Sequence, residues 1–514
     1  MSRKHFVIRT FAYSGLKDGM PNLVGVLALI LLFLAATSPA WATDYTAASC
    51  SRDDVHAKLR LARSSGDRVL VPAGTCTWSS GRTSGTISWT SPPNFTLQGA
   101  GVGVTTIIDG INRSVWGDNE GILNISHGGG VLRITGFTFS ATRTEQNVTS
   151  NGSMRVFGNG TSQFRFDHNT CDNVRTICLG LFSVIGVADH NTFDTSSITG
   201  SAFKFYGQDN AAWAAATGLG TSNFFFIEDN TFNGLRSADS ATEDCYQGGR
   251  FVVRKNALNR SSGGTHPTGG SGQSRGCRAW EVYENIIGIS PTNAFNFFFM
   301  SSGTGVIWGN SKSGSASITG YDNFVTMHST RRNKGTYSQT PTPNGWGYCG
   351  TTQTGTGANW DQNSNPATGY ACLDQPGRGV GDLLSGSWPK LINATTGCNS
   401  SQSCAWPRQA LEPVYEWSNP WTSTGGRGGF WNVYDRDVLV PNQDYYLYTA
   451  SFNGTSGVGA GLLSARPSTC TPKVAYWATD TRTLYQCSST NTWSVYYQPY
   501  TYPHPLLGTS LMSR

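Results

Sequence analysis

The clearest pattern of apolar and polar positions is a short phrase that occurs six times between Asn169 and Asn310. Each copy has a few β-prone residues, a polar pair and then an asparagine. The copies read FRFDHNTC, GVADHNTF, FFIEDNTF, FVVRKNAL, WEVYENII and GVIWGN. Successive asparagines are 22, 39, 26, 29 and 25 residues apart. A repeat this short, with one strand–Asn–strand unit per copy, is typical of a solenoid in which coils stack on one another.

Asparagine suits a sharp bend between two short strands. It tolerates the left-handed backbone conformation, and its amide can hydrogen-bond to the asparagine one coil above. We therefore expect the six asparagines to lie at bends and to form a ladder between coils. A ladder of this kind indicates a parallel β-helix.

The gaps between asparagines contain candidates for a further strand in each coil. These are TICLGLF (176–182), SAFKFYG (201–207), TEDCYQG (242–248) and NAFNFFFM (293–300). Because side chains alternate along a strand, Phe203 and Phe205 should point inward, and Lys204 and Tyr206 outward. Gly/Ser-rich inserts at 208–223 and 261–276 are predicted loops that project from the coils.

The N-terminal part of the chain predicts a helix followed by coils. Residues Asp53 to Arg63 have apolar positions at helical spacing, with Ser51 or Asp53 as a cap. The next stretch, GDRVLVPAGTCTW, reads as a turn, a strand and a Pro-Gly bend. Residues 95–110, FTLQGAGVGVTTIIDG, then give a Gly-rich turn and a strand.

These N-terminal stretches resemble the first coils of secreted right-handed parallel β-helix proteins of the pectate-lyase-like superfamily. The resemblance implies a short helix that caps the open end of the barrel. It also implies catalysis or glycan binding in a groove on the outer face of one sheet. The chain departs from the superfamily where Cys76 and Trp78 replace an aromatic position, and where no N-T-D…G-H-G or R-x-P-x-x-R pattern occurs. These departures put specific pectin chemistry in doubt.

The predicted fold is all-β: a right-handed parallel β-helix solenoid with a short N-terminal capping helix and an irregular, disulfide-linked C-terminal region. The predicted boundaries are a signal peptide at 1–42, coils at 43–325, an irregular Trp/Gly/Pro-rich region at 326–465 and a small β-meander at 466–514. Low charge, 13%, together with 62 glycines suits a turn-rich β protein.

The first 42 residues predict export. A basic stretch precedes an apolar run, from Leu23 to Ala36, that is short for a membrane span, and Ala40-Trp41-Ala42 gives a cleavage site. An uncleaved anchor is the alternative. Cleavage would lower the net charge by three, from +6 to +3. This near balance argues for neither a nucleic-acid partner nor a polyanionic substrate. No second apolar stretch approaches spanning length, so after cleavage we expect no membrane partner and a secreted, extracellular or periplasmic protein.

All twelve cysteines follow the cleavage site, and an even count in an exported chain favours disulfides. Connectivity does not follow from sequence. Proximity alone suggests Cys50–Cys76, Cys171–Cys178, Cys245–Cys277, Cys349–Cys372, Cys398–Cys404 and Cys470–Cys487. No C-x-x-C or H-E-x-x-H pattern occurs, so no zinc site is predicted.

Candidate site residues cluster around two coils and their inserts. The predicted catalytic residues are His266, Lys204, Tyr206, Glu243 and Asp244. The predicted substrate-binding residues are Arg250, Arg275, Arg278, Glu281 and Tyr246. Each of them also has a structural reading, as an ordinary solvated or ion-paired residue.

Three functions are compatible with these residues and an extracellular polysaccharide partner. A lyase acting by β-elimination would use Lys, Arg, His or Tyr as the base, with Ca²⁺ as a possible cofactor on Glu243 and Asp244. A glycoside hydrolase would need two opposed carboxylates, drawn from the segment between Glu243 and Glu284. A non-catalytic surface or adhesion protein would stack aromatic rings on sugars. Nothing in the sequence distinguishes a monomer from a trimer.

The polar pairs of the first three copies also raise an electrostatic question. Asp167, Asp189 and Glu228 each lie two residues before an asparagine, so the ladder would stack three carboxylates. Such a column repels itself unless it is neutralised. The alternatives are a bound cation or Arg254 in the next coil.

Overall fold

The short runs around each asparagine form β-strands that pair in parallel with the strands of the next repeat. A computed structural model of the chain is nearly all β, with 6% helix. It describes residues 42–79, 86–113, 121–141, 151–172, 177–194, 201–233, 241–259, 262–266, 275–288, 298–313, 324–328, 374–382, 408–420, 431–433, 436 and 439–508.

The strands stack in three columns. Two long strands, Met154–Asp167 and Ile177–Asp189, pair with column 1 through their first halves and with column 2 through their second halves. Columns 1 and 2 therefore join into a sheet of 20 described strands, whereas column 3 is a separate sheet of nine. The result is a large curled parallel sheet, compatible with a β-helix or another solenoid-like fold.

The columns have the following bounds. Besides the two long strands, column 1 contains Ile87–Ser91, Leu123–His127, Ser201–Tyr206, Ala241–Tyr246, Ser262–Thr265, Phe298–Met300, Val325–Met327 and Trp431–Val433. Column 2 contains Asp44–Thr46, Arg68–Val71, Phe95–Gly99, Val131–Thr135, Phe225–Glu228, Arg250–Arg254, Ala279–Tyr283, Thr304–Trp308, Val414–Trp417 and Tyr445–Tyr446. Column 3 contains Gly74–Trp78, Thr105–Asp109, Thr138–Ala141, Thr170–Asp172, Thr192–Asp194, Thr231–Asn233, Ala257–Asn259, Ile286–Gly288 and Ser311–Ser313.

The asparagines form the predicted ladder between columns 2 and 3. The backbone N–H of each donates to the side-chain Oδ1 of the next at 2.8–3.1 Å, from Asn169 through Asn310. Their side chains are buried. The left-handed residue, however, is the one before each asparagine, from His168 to Gly309, with φ between 52° and 64°. The left-handed backbone conformation therefore lies at the residue before each asparagine, whereas the asparagine itself forms the ladder.

Parallel pairing continues beyond residue 325, the predicted end of the coils. Thr304–Trp308 pairs with Val414–Trp417, and Val325–Met327 pairs with Trp431–Val433. The ladder also continues, because the backbone N–H of Asn310 donates to the Oδ1 of Asn419 at 3.0 Å. The segment VYEWSN, which ends at Asn419, is thus a seventh copy of the phrase. Residues 329–373 and 383–407 of the predicted irregular region lie outside the described residues.

Side-chain alternation fills the interior with aromatic rings, as predicted. Phe203 and Phe205 are buried and stack at 5.8 Å, whereas Lys204 and Tyr206 between and beside them are partly exposed. Phe205 also stacks on Phe251 of column 2 at 5.7 Å. Buried aromatic side chains contribute the largest apolar areas to such a core.

A helix closes the N-terminal end of the described chain. It spans Arg52–Leu59, four residues shorter at its end than the apolar spacing predicts, and buries Val55 and Leu59. The Ser51 hydroxyl accepts from the Asp54 backbone N–H, which satisfies one of the unpaired donors of the first turn. A second helix, Asn210–Ala214, lies in the predicted insert after column 1, and short 3₁₀ turns occur at Leu463–Ala465 and Pro505–Leu507.

The C-terminal region packs on the outer side of column 2. Its four-stranded sheet comprises Val458–Gly461, Ala475–Ala478, Thr483–Ser489 and Thr492–Tyr497. Trp477 contacts both Trp308 and Trp417, each at 5.0 Å between ring centroids. A separate antiparallel pair joins Arg378–Asp382 to Arg408–Leu411. This packing covers the outward side chains of column 2.

The structure contains four of the six predicted disulfides: Cys50–Cys76, Cys171–Cys178, Cys245–Cys277 and Cys470–Cys487. The cysteines of the other two predicted pairs, Cys349–Cys372 and Cys398–Cys404, lie outside the described residues. Among the helices that the structure describes, none is both long enough and apolar enough to span a membrane.

Candidate functional site

Five aromatic side chains stack on the outer side of column 1, one from each of five successive coils. We call this set the outer column: Phe157, Phe182, Tyr206, Tyr246 and His266. Successive ring centroids are 4.5, 4.4, 5.7 and 3.9 Å apart, and the interplanar angles do not exceed 20°. Strand register causes the stacking, because Phe157 pairs with Phe182, Phe182 with Tyr206 and Tyr206 with Tyr246.

Parallel stacking buries ring faces and leaves ring edges outward. Phe157 is 37% exposed and His266 is exposed, so the ends of the outer column reach solvent, whereas the two tyrosines are half-buried. The Tyr206 hydroxyl donates to the Oδ1 of Asn151 at 2.6 Å. The Tyr206 hydroxyl is therefore already bonded, and solvent reaches mainly the two end rings, Phe157 and His266.

Lys204 adds a cation to the same surface. Its Nζ lies 4.6 Å from the ring centroid of Tyr246 and 5.5 Å from that of Tyr206. Cation–π attraction at these distances holds the amine beside the tyrosines. Four of the predicted site residues, Lys204, Tyr206, Tyr246 and His266, are thus brought together.

A pocket of about 180 Å³ adjoins the outer column at Tyr206. Its polar lining includes Gln208, Asn223 and Arg250, and backbone from the insert helix region covers one side. Arg250 donates to the carbonyl oxygens of Ala212, Ala216 and Thr217. Burial, and then the charge of Arg278, lower the pKa of the Arg250 guanidinium to about 10. Arg250 therefore contributes a positive charge to the lining of the pocket. Its hydrogen bonds already attach the insert to column 2.

Arg275 and Arg278 are interior side chains. Arg275 forms a buried ion pair with Asp374, and Arg278 pairs with Glu412. Both guanidinium groups also lie against the ring of Trp213, at 4.9 and 5.2 Å. These contacts attach the insert helix and the segment at Asp374 to the coils. A substrate-binding role for the two arginines has no support from this arrangement, and it stays a prediction.

Two of the predicted carboxylates, Glu281 and Glu284, lie away from the outer column. Glu281 lies in column 2 beneath the C-terminal sheet, where it accepts from the Gly220 N–H at 2.7 Å and from the Tyr497 hydroxyl at 2.9 Å. Glu284 lies in the turn after column 2 and pairs with Lys255 and Arg482. The side chains of Glu243 and Asp244 lie outside what the structure describes. Among described residues, the structure thus places no opposed carboxylate pair on column 1.

The three carboxylates beside the ladder are neutralised by arginines. Arg133 binds Asp167, Arg165 binds Asp189 and Arg254 binds Glu228. Desolvation opposes ionisation of Asp167, but the hydrogen bonds and charge of Arg133 outweigh it and lower the pKa of this carboxyl. The sequence left two ways to neutralise Glu228, a bound cation or Arg254, and in the structure Arg254 pairs with it. The same solution, with other arginines, serves the two earlier coils.

Comparisons with known proteins add no functional assignment: no family model matches the chain, and no curated protein matches it significantly.

Sequence reasoning missed three residues of the outer column and its surroundings. Phe157 and Phe182 extend the stack by two coils, and Asn151 anchors Tyr206. Phe182 could have been found from the sequence. It ends the stretch LGLF, and the alternation of side chains that points Tyr206 outward also points Phe182 outward. Phe157 gives a weaker signal, because Gly158-Asn159-Gly160 follow it directly and read as a turn, whereas the strand continues through them with a register shift.

Proposed function

We propose that this protein is a secreted solenoid that binds an acidic extracellular polysaccharide at the outer column and cleaves it by β-elimination. One observation carries the proposal: Lys204, Tyr246 and His266 bring an amine, a phenol and an imidazole together on adjacent coils. The disulfides are consistent with an oxidising, extracellular location.

The chemistry of elimination at a uronic acid needs these group types. A base removes the proton at C5, and the electron pair forms the C4–C5 double bond as the C4–O glycosidic bond breaks. The departing oxygen takes a proton, so the products are an unsaturated uronate and a new chain end. A cation beside the carboxylate stabilises the charge that develops during proton removal.

The geometry suggests a division of roles among the three groups. The Lys204 ammonium is suited to the substrate carboxylate, whereas Tyr246 and His266, in ring contact at 3.9 Å, are suited to exchange the two protons. Tyr206 and the adjoining pocket would hold a neighbouring sugar. Proton transfer by a positioned side chain typically contributes 10²–10⁴-fold to the rate, roughly.

The test is the rise in ultraviolet absorbance of the unsaturated uronate on a panel of uronic-acid polysaccharides, with Ca²⁺ and then with EDTA. We expect a rise on at least one polymer, with losses of about 100-fold or more in His266→Ala and Lys204→Ala. A matched control is Lys58→Ala in the N-terminal helix, which should retain full activity. Absence of any rise, or activity that survives both column variants, would overturn the elimination step.

A further inference from the structure

The pocket beside Tyr206 has the size and lining of a site for one small ligand. Its volume is about 180 Å³. Pockets for drug-sized molecules typically have about 300–1,000 Å³, so this one has room for roughly one sugar residue. Its apolar lining comprises Leu181, Val184, Ile185 and Phe205. Its polar lining includes Ser183, Gln208, Asn223 and Arg250. An apolar wall with a few polar groups is the usual composition of a ligand pocket.

Arg250 places a guanidinium group at the wall of this pocket. Its Nε donates to the carbonyl oxygen of Thr217 and its Nη2 to that of Ala216, each at 3.2 Å. Both acceptor residues line the pocket, so the charged group lies beside them. The third nitrogen, Nη1, donates to no residue that the structure describes. The donors of Nη1 are therefore available to a ligand.

The charge of Arg250 has no carboxylate partner within the described part of the chain. Glu412, whose charge acts on Arg250, is already paired with Arg278 at 2.8 Å. Although the pKa of Arg250 is lowered to about 10 by burial and then by the charge of Arg278, the group is protonated at neutral pH. A partly buried charge without a partner costs free energy, which an anion in the pocket would offset.

The other polar groups of the pocket are neutral. Asn223 is exposed, and its side-chain amide forms no hydrogen bond with the described residues. Gln208 donates to the carbonyl oxygen of Asn159 at 2.8 Å, and its own amide oxygen accepts no described hydrogen bond. A planar guanidinium matches a carboxylate, and amides match hydroxyl groups. One cation with neutral amides thus suits a ligand that has one carboxylate and several hydroxyl groups.

We propose that this pocket binds a single sugar-acid unit, with its carboxylate on Arg250 and its hydroxyl groups on Asn223 and Gln208. The choice of a sugar rests on the proposed function, whereas the size and charge of the ligand follow from the pocket. The unit is either a free sugar acid or one residue of a polymer, since both carry the same groups. Lys204 is not part of the lining, so the site is distinct from the amine of the outer column.

Calorimetric titration with sodium glucuronate and with glucose tests the pocket. The titrations use Lys204→Ala beside the wild type, so that the outer column lacks its cation. In Lys204→Ala we expect one glucuronate per chain, and binding of glucose that is weaker by about 10-fold or more. If elimination activity is absent while glucuronate still binds Lys204→Ala, the proposed function fails and the pocket stands.

Two further variants, each made in the Lys204→Ala protein, test the pocket charge. Arg250→Gln removes the charge and should weaken glucuronate binding by about 10-fold or more. Because Arg250 also holds the insert, the second variant is one that removes no described side-chain hydrogen bond. Asn223→Asp adds a negative charge to the pocket and should weaken glucuronate binding by about 5-fold. The charge-matched control is Asn259→Asp, at an exposed position of column 3, which should bind as Lys204→Ala does.

Absence of glucuronate binding, equal affinity for glucose, or an affinity that Arg250→Gln or Asn223→Asp does not change would overturn the proposal. An acidic oligosaccharide then identifies the source of the unit. Its affinity should fall in Arg250→Gln if the pocket takes one residue of the polymer, and should stay the same if the pocket takes a free sugar acid.

Discussion

At the residue scale, each ladder asparagine satisfies several buried backbone groups at once. Asn256 donates to the carbonyl oxygens of Ile227 and Arg254, and its Oδ1 accepts from the backbone of Asn230. None of these groups is exposed to water, since the ladder side chains are buried. The energetic value of the ladder lies mainly in the cost of leaving such groups without partners.

Replacing Asn256 with Ala should therefore destabilise the fold strongly. The substitution leaves the Asn230 N–H and the Ile227 carbonyl without these partners, and we expect the free energy of unfolding to fall by about 3 kcal/mol. Urea denaturation followed by tryptophan fluorescence measures the change. Asn259→Ala is the control: Asn259 is exposed and its side chain bonds only Asn233 in the described contacts, so the loss should stay below about 0.5 kcal/mol. Equal losses in the two variants would contradict the ladder's role.

A second residue-scale prediction concerns the buried carboxyl of Glu281. Desolvation raises its pKa to about 7, against hydrogen bonds from Gly220 and Tyr497 that lower it. The folded state thus binds a proton more tightly than the unfolded state does. Stability from this group is fully present below the unfolded pKa of 4.5 and is lost as pH rises through 7.

The matching variant is Glu281→Gln, which cannot ionise. The stability of the wild type minus that of the variant should fall between pH 5 and pH 8, by up to about 3 kcal/mol. Parallel urea titrations across this range measure the difference directly, because other titrating groups are common to both proteins. A difference that is flat or rises with pH would show that Glu281 is ionised in the folded protein throughout.

At the element scale, the C-terminal sheet is joined to the coils by aromatic contact and by arginines that reach its following segment. Arg254 donates to the carbonyl oxygens of Tyr500 and Thr501, and Arg165 donates to that of Leu506. The Glu228 carboxylate accepts from the backbone of His504. The outer side of column 2 is consequently an internal interface.

Removing the Trp477 side chain, which packs against Trp308 and Trp417, should loosen the contact between the C-terminal sheet and column 2. Trp477→Ala leaves a cavity between Trp308 and Trp417, at a cost of about 3–5 kcal/mol. Limited proteolysis should then cleave near residues 446–475 faster than in the wild type. Val495→Ala, at an exposed position on the same sheet, should leave the cleavage rate of residues 446–475 nearly unchanged. Equal protease resistance of Trp477→Ala and the wild type would argue against a packed interface.

Elements with local signals were predictable from the sequence, whereas those that depend on distant packing were not. The ladder and the outward Lys204 and Tyr206 follow from short-range repeats. The four described disulfides join cysteines that are near in sequence, which is the basis on which they were paired. Asn419 was missed because 109 residues separate it from Asn310, so the period was hidden.

The site was only partly predictable for a related reason. Arg275 and Arg278 lie near His266 in sequence, but the insert helix brings Trp213 over them and Asp374 pairs with Arg275. Neither contact has a local sequence signal. The stacked pair His168 and His190 was missed because residues 22 positions apart match no linear motif, although strand register aligns them on successive coils.

At the scale of the whole molecule, the columns have different surroundings. Column 2 is covered by the C-terminal sheet, and the turn after it carries the histidine pair. Column 1 carries the outer column, with its amine, phenols and imidazole, next to the pocket at Tyr206. Under the proposed function, column 2 would support the fold and column 1 would bind the ligand.

The central claim is that the outer column recognises the carboxylates of an acidic polysaccharide through Lys204. Isothermal titration with one uronic-acid oligosaccharide and its carboxyl-reduced, neutral counterpart tests it most directly. We expect binding of the acidic form, and at least 10-fold weaker binding both of the neutral form to the wild type and of the acidic form to Lys204→Met. Equal affinity for the two sugars, or an affinity that Lys204→Met does not change, would contradict it.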